Sequence, residues 1–126
     1  MLSEHGDYGF EWRGNLLILT LSGGFNEAAI AHFFQQVLAS FAGRGDSPWA
    51  ILSSIDKGMM GTPEVIKIIK TAYRWGETHY CKAAAISGAN VIVHRIYSEL
   101  FEKLSYDAEL FDSKEEAIEW LENKLK

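Results

Sequence analysis

The sequence predicts an α/β protein: a five-stranded mixed, mostly parallel sheet, opened by an N-terminal β-hairpin and continued by four β-α units, with four helices. Three observations predict it. Short apolar runs alternate with stretches in which apolar residues recur at i, i+3, i+4, the pattern of strands joined by helical crossovers. Each helical stretch follows a residue whose side chain caps a helix N-terminus: Asn26, Thr62, Asn90 and Ser113. The first two strands are separated only by Arg13-Gly14-Asn15, a connection of hairpin length, so that pair is antiparallel while the later strands run together.

Tyr8 to Trp12 and Leu16 to Leu21 are β-rich runs. Tyr8, Phe10 and Trp12 alternate with Gly9 and Glu11 and share one face of the first strand. That row is core beneath a helix or, on an open edge, a recognition strip that Trp75 and Tyr80 would join. Ser22-Gly23-Gly24-Phe25 ends the second strand. Asn26 then caps a helix carrying Ile30, Phe33, Phe34, Val37, Leu38 and Phe41 as its stripe, stopped by Gly43 and Gly45. Trp49-Ala50-Ile51-Leu52 is a nearly continuous apolar run, as expected of a strand covered on both faces, and a loop from Ser53 to Gly61 follows it.

Thr62-Pro63-Glu64 supplies a cap, a proline suited to the first helical position and an acid in the first turn. Val65, Ile66, Ile69, Ala72, Tyr73 and Gly76 share one face of that helix; Ile68 and Trp75 lie off it, so a second covered side is expected. Lys82 to Ser87 reads as a strand despite its alanines, because a helix there would run into Gly88 and restart at Asn90. Asn90 opens a helix with Val93, Ile96, Tyr97, Leu100, Phe101 and Leu104 on one stripe. Asp107 to Phe111 is the last strand. Ser113, with Glu116 three residues on, forms a capping box ahead of the closing helix through Trp120 and Leu121.

Composition bounds what such a chain does. At 126 residues and 48% hydrophobic it has the size of one domain, residues 1–126, and buries roughly two thirds of its unfolded surface. Net charge is -5 and the twelve Lys and Arg are scattered, so neither nucleic acid nor an anionic membrane surface is an expected partner. The single Cys81 excludes an internal disulfide and a cysteine-only metal site, and fits a reducing compartment. The polar first residues are unlike a signal peptide, and no apolar run approaches the ~20 residues of a membrane span. The expected setting is cytoplasmic.

One hairpin and then four successive β-α units in a short acidic chain resembles the SpoIIAA-like fold. That fold is shared by STAS domains (anti-sigma-factor antagonists and transporter tails) and by small bacterial SpoIIAA-like proteins. The residues carrying the resemblance are Phe111-Asp112-Ser113-Lys114-Glu115-Glu116-Ala117 with Trp120-Leu121; the hairpin-to-helix passage around Leu19-Thr20-Leu21-Ser22-Gly23 is similar too. In topology it covers nearly the whole chain. In STAS antagonists an Asp-Ser-Ser-Gly motif opens the helix after the third strand, and a partner kinase phosphorylates its first serine. Gly61-Thr62-Pro63-Glu64 falls on that motif, so the resemblance puts Thr62 near the phospho-acceptor position. The aspartate, the paired serines and the glycine are absent, which moves the chain toward the less characterised SpoIIAA-like branch. Thr62 is in any case a helix cap, at a site where free amides and the helix dipole suit a phosphate.

Ligands of parallel α/β sheets bind beyond the carboxyl ends of the strands. The candidate ligand- or partner-binding residues there are Ser22, Gly23, Ser53, Ser54, Asp56, Met59, Met60, Ser87 and Asn90. The adjacent Met59 and Met60 offer adaptable apolar contact, or plug the end of the core. Ser22-Gly23-Gly24 lacks both Gly-x-Gly-x-x-Gly and a Gly-Lys-Ser/Thr ending and reads as strand termination. His79 and Cys81 would face the same way on a strand, but His5, His32 and His94 lie far off, so no metal or cofactor is expected. Cys81 reads as a small buried hydrophobe with no His and Asn/Asp pair to activate it. Glu115, Glu116, Glu119 and Glu122 form a solvated helix face. No catalytic residue is assigned. The expected function is a non-catalytic binding or regulatory module acting on a protein partner or through self-association. The alternative is a carrier of a small apolar or lipid-like ligand in a cavity at the C-terminal ends of the strands.

Overall fold

The structure, a computed structural model, describes residues 7–56, 58 and 60–126, with the backbone alone for residues 60 and 61. Strand β1 (Asp7–Arg13) turns directly into β2 (Leu16–Ser22), the pair Arg13↔Leu16 closing a two-residue turn with Gly14 at φ 59°. After a short β3 (Gly24–Phe25) come α1 (Glu27–Ala39), β4 (Trp49–Ile55), a short β5 (Met60–Gly61), α2 (Pro63–Trp75), β6 (Cys81–Ser87), α3 (Val91–Glu102), β7 (Asp107–Phe111) and α4 (Lys114–Lys124). The five long strands form one sheet in the order β1-β2-β4-β6-β7, antiparallel at β1-β2 and parallel elsewhere. This is the mixed, mostly parallel five-stranded sheet with four helices that the sequence predicts.

Four caps hold the helix starts. Asn26 Oδ1 accepts from the Ala29 N–H (2.9 Å), Thr62 Oγ1 from Val65 (3.2 Å), Asn90 Oδ1 from Val93 (2.9 Å) and Ser113 Oγ from Glu116 (3.1 Å). Each is the residue expected from the sequence.

From β2 onward every crossover steps the same way across the sheet. Right-handed connections therefore place α1, α2 and α3 on one face, and α4 alone on the other. On the three-helix side Leu17, Leu19, Ile51 and Ile86 meet Phe33, Val65, Tyr73 and Tyr97. On the other side Ala50, Ala83 and Ala85 present short side chains to Ala117 and Leu121. The alanines that weaken the strand signal of β6 let α4 lie close to the sheet.

Three boundaries differ from expectation. β4 runs to Ile55 rather than ending at Leu52, because Ser53 and Ser54 pair with Leu19 and Thr20 on one side and with Ile86 and Ser87 on the other. β3 and β5 form a small parallel ladder, Gly24↔Met60 and Phe25↔Gly61, in what reads as loop. α1 ends at Ala39, and Phe41 lies in the turns beyond it. The aromatic row of β1 is packed: Tyr8 and Phe10 lie against Phe33, and Trp12 lies edge-on to Phe41 with its Nε1 donating to Ser40 Oγ at 2.9 Å. Trp75 joins that packing through Phe41 and Trp49, whereas Tyr80 stays outside it at 53% exposure.

Candidate functional site

The carboxyl ends of the parallel strands are drawn together by backbone contacts. The Asp56 N–H donates to Leu21 O (3.2 Å), the β3–β5 ladder ties the passage after β2 to the loop after β4, and Gly88 passes against Ile55. This brings Ser22, Gly23, Asp56, Ser87 and Asn90 to one end of the molecule, with the backbone of Met60. Met59 and Lys57 lie outside the described residues. The polar groups that gather there are engaged locally. The Asp56 carboxylate accepts from the Gly58 N–H (3.0 Å), and Asn90 caps α3. Ser53 sits apart from this end: it is fully buried mid-sheet, its hydroxyl bonded to the Tyr73 hydroxyl, while Ser54 is half-buried on the strand. Thr62 is exposed at the start of α2.

The chemistry at this end is apolar. Val91 and Ile92 open α3 with 80% and 71% of their surface exposed. Beside them a hollow of about 100 Å³ runs between the first turns of α2 and α3, lined by Val65, Ile66, Ile69, Ile92, Val93 and Ile96 among others. Val91 and Ile92 were not among the sequence candidates; their signal is two adjacent β-branched residues immediately after a cap, off the Val93-Ile96-Tyr97 stripe.

A roomier hollow, about 370 Å³, lies at the opposite end of the sheet. It is walled by the C-terminal halves of α1 and α2 over the starts of β2 and β4, with Leu17, Val37, Trp49, Ile51, Ile68 and Trp75 in its lining. Ile68 and Trp75 thus cover the second side of α2, as their position off its main stripe predicts. Of these two hollows, the one nearer the carboxyl ends of the strands is the smaller in volume.

Beneath both runs a buried set of acidic-proton groups. The Tyr73 hydroxyl bonds to Ser53, its ring lies edge-on to Tyr97 at 5.7 Å between centroids, and the Tyr106 hydroxyl donates to Tyr73 O (2.7 Å). Burial raises the pKa of Tyr73, Tyr97 and Tyr106, and pushes the Cys81 thiol up to about 12. A thiol held protonated in this way is no nucleophile at neutral pH. His79 is stacked on Trp75 at 3.9 Å between ring centroids and bonded to Trp75 O, ahead of β6 rather than on it. Among the described residues no three His, Cys, Asp or Glu side chains converge as metal ligands, and no helix is long and apolar enough to cross a membrane.

Comparison with known proteins identifies the fold. No family model matches this sequence, and no curated protein does. A similar solved structure is that of an uncharacterised protein of the DUF3478 family from Shewanella loihica PV-4, which has a SpoIIAA-like fold. The two superpose with a TM-score of 0.70 at 15% sequence identity, over 96% of this chain and 98% of that one. This chain has a SpoIIAA-like α/β fold.

Proposed function

We propose that this chain is a non-catalytic binding and regulatory module that docks a protein partner on the α2–α3 groove. The observation that carries the reading is the exposure of Val91 and Ile92, at 80% and 71%, beside an apolar hollow. Adjacent large apolar residues standing in water at the rim of an apolar groove mark an interaction site more often than a lone exposed residue does. The SpoIIAA-like fold supports a regulatory role by analogy. A phosphate on Thr62 would be held by the first amides of α2 and would place negative charge on the groove's rim, weakening an apolar partner's grip.

The test compares affinity capture by the natural chain with capture by Val91→Asp/Ile92→Asp. The expected result is one stoichiometric protein, identified and re-bound as a purified component, whose affinity falls at least about tenfold in the variant. Thr62→Glu should weaken the same complex by a smaller factor. Equal binding by the natural chain and the double variant, at matched thermal stability, would remove this surface from the interface.

A further inference from the structure

We propose that the hollow between α1 and α2 binds a single-tailed amphiphile with an anionic head group, its tail inside and its head at Lys67. This site is separate from the α2–α3 groove and stands without the docking role assigned there. The hollow is open to solvent on one side, and an apolar recess of about 370 Å³ has the size of a small-molecule site.

Its walls fit an apolar occupant. Their polar side-chain atoms are largely engaged within the protein: Trp49 Nε1 donates to His79 O, Tyr106 to Tyr73 O, Thr71 Oγ1 to Lys67 O, and the Tyr73 hydroxyl meets Ser53. Water inside such a space finds few hydrogen-bonding partners, and an alkyl chain displaces it without breaking good bonds. Scaled against the ~150 Å³ hollow that holds benzene, this volume takes on the order of a dozen carbons.

The mouth selects the head group. Leu38 (half-exposed), Lys67 and Thr71 are the exposed lining residues, so the hollow opens between α1 and α2 at these three. Among the described residues of the lining, Lys67 carries the only charge, and no described carboxylate pairs with its ammonium. Although the chain as a whole is acidic, the local cation at the mouth of an apolar hollow favours an anion on an apolar tail.

Trp49 and Trp75 line the site and report on it. The experiment titrates the purified chain with 11-bromoundecanoate, whose bromine quenches tryptophan emission, and with 11-bromoundecanol as its uncharged counterpart, both below their micelle concentrations. The expected result is saturable quenching at one molecule per chain, with the carboxylate binding several-fold tighter than the alcohol. Lys67→Gln should abolish that preference. Ala72→Phe, which fills the hollow, should weaken both by at least about tenfold. Leu38→Asp, at an exposed position that folding tolerates, should weaken the carboxylate more than the alcohol, and so keeps the test decisive if Ala72→Phe does not fold. No saturable quenching, or quenching untouched by Leu38→Asp and Ala72→Phe, would overturn the site. So would a stable dimer burying Leu38 with no probe bound, which would assign the mouth to a second copy of the chain. An alcohol that binds as tightly as the carboxylate would overturn the anionic head group.

Discussion

A Cβ on Gly88 would sit 2.2 Å from the Ile55 carbonyl oxygen, and its φ of 86° lies in the left-handed region that glycine alone adopts freely. Two penalties therefore fall on one residue: backbone strain and a clash with backbone, which cannot rotate away. Gly88→Ala should cost about 2–4 kcal/mol, seen as a lower urea midpoint at unchanged m-value. A loss below about 0.5 kcal/mol, the range of ordinary surface changes, would show that β4 and β6 part easily at this end. Gly88 was legible as a strand stop, but its approach to Ile55 was not, since a close contact between residues 33 positions apart leaves no periodic trace in the sequence. The same holds for Ser53. As a serine after an apolar run it reads as loop, and only the Tyr73 hydroxyl opposite it makes its burial tolerable.

At the level of elements, local chemistry was a reliable guide wherever it acts within one turn. The four caps are contacts between residues three apart, so a sequence displays both partners at once. Ser113→Ala removes the acceptor for the Glu116 N–H and should cost about 1 kcal/mol, read as a lower thermal midpoint; Ser113→Asp should retain most of the stability. Full retention in the alanine variant would mean that α4 is held by Ala117 and Leu121 against the sheet rather than by its cap. The β3–β5 ladder was illegible for the opposite reason: two residues pairing with two others 36 positions away carry no pattern long enough to read. Val91 and Ile92 leave no such mark, because a periodic apolar stripe singles out residues that face the core, and these face water.

The whole molecule couples its core to pH through groups that burial keeps protonated. Unfolding would return Cys81, Tyr73, Tyr97 and Tyr106 to ordinary values of 9.0 and 10.0, whereas in the fold all four are raised, Cys81 to about 12. Above pH 9 the native chain binds more protons than the unfolded one, so stability is complete below about pH 9 and falls as pH rises, by up to ~1.4 kcal/mol per pH unit for each titrating group. Urea midpoints measured from about pH 7 to 11 should decline along this limb, and more shallowly in Tyr97→Phe; a flat profile would mean these hydroxyls reach water. The fold as a whole was legible because alternating strands and capped helices leave few topologies open. The α1–α2 hollow was not, since a void is set by what three elements fail to fill. One-directional crossovers carry a further consequence for biosynthesis. α4 follows in translation order every strand it shelters, so a ribosome-held chain with all five strands made still displays Leu16, Ile18 and the alanines of β4 and β6 bare. A holdase chaperone has its strongest claim on the nascent protein in that interval, and its release should coincide with the emergence of Leu121.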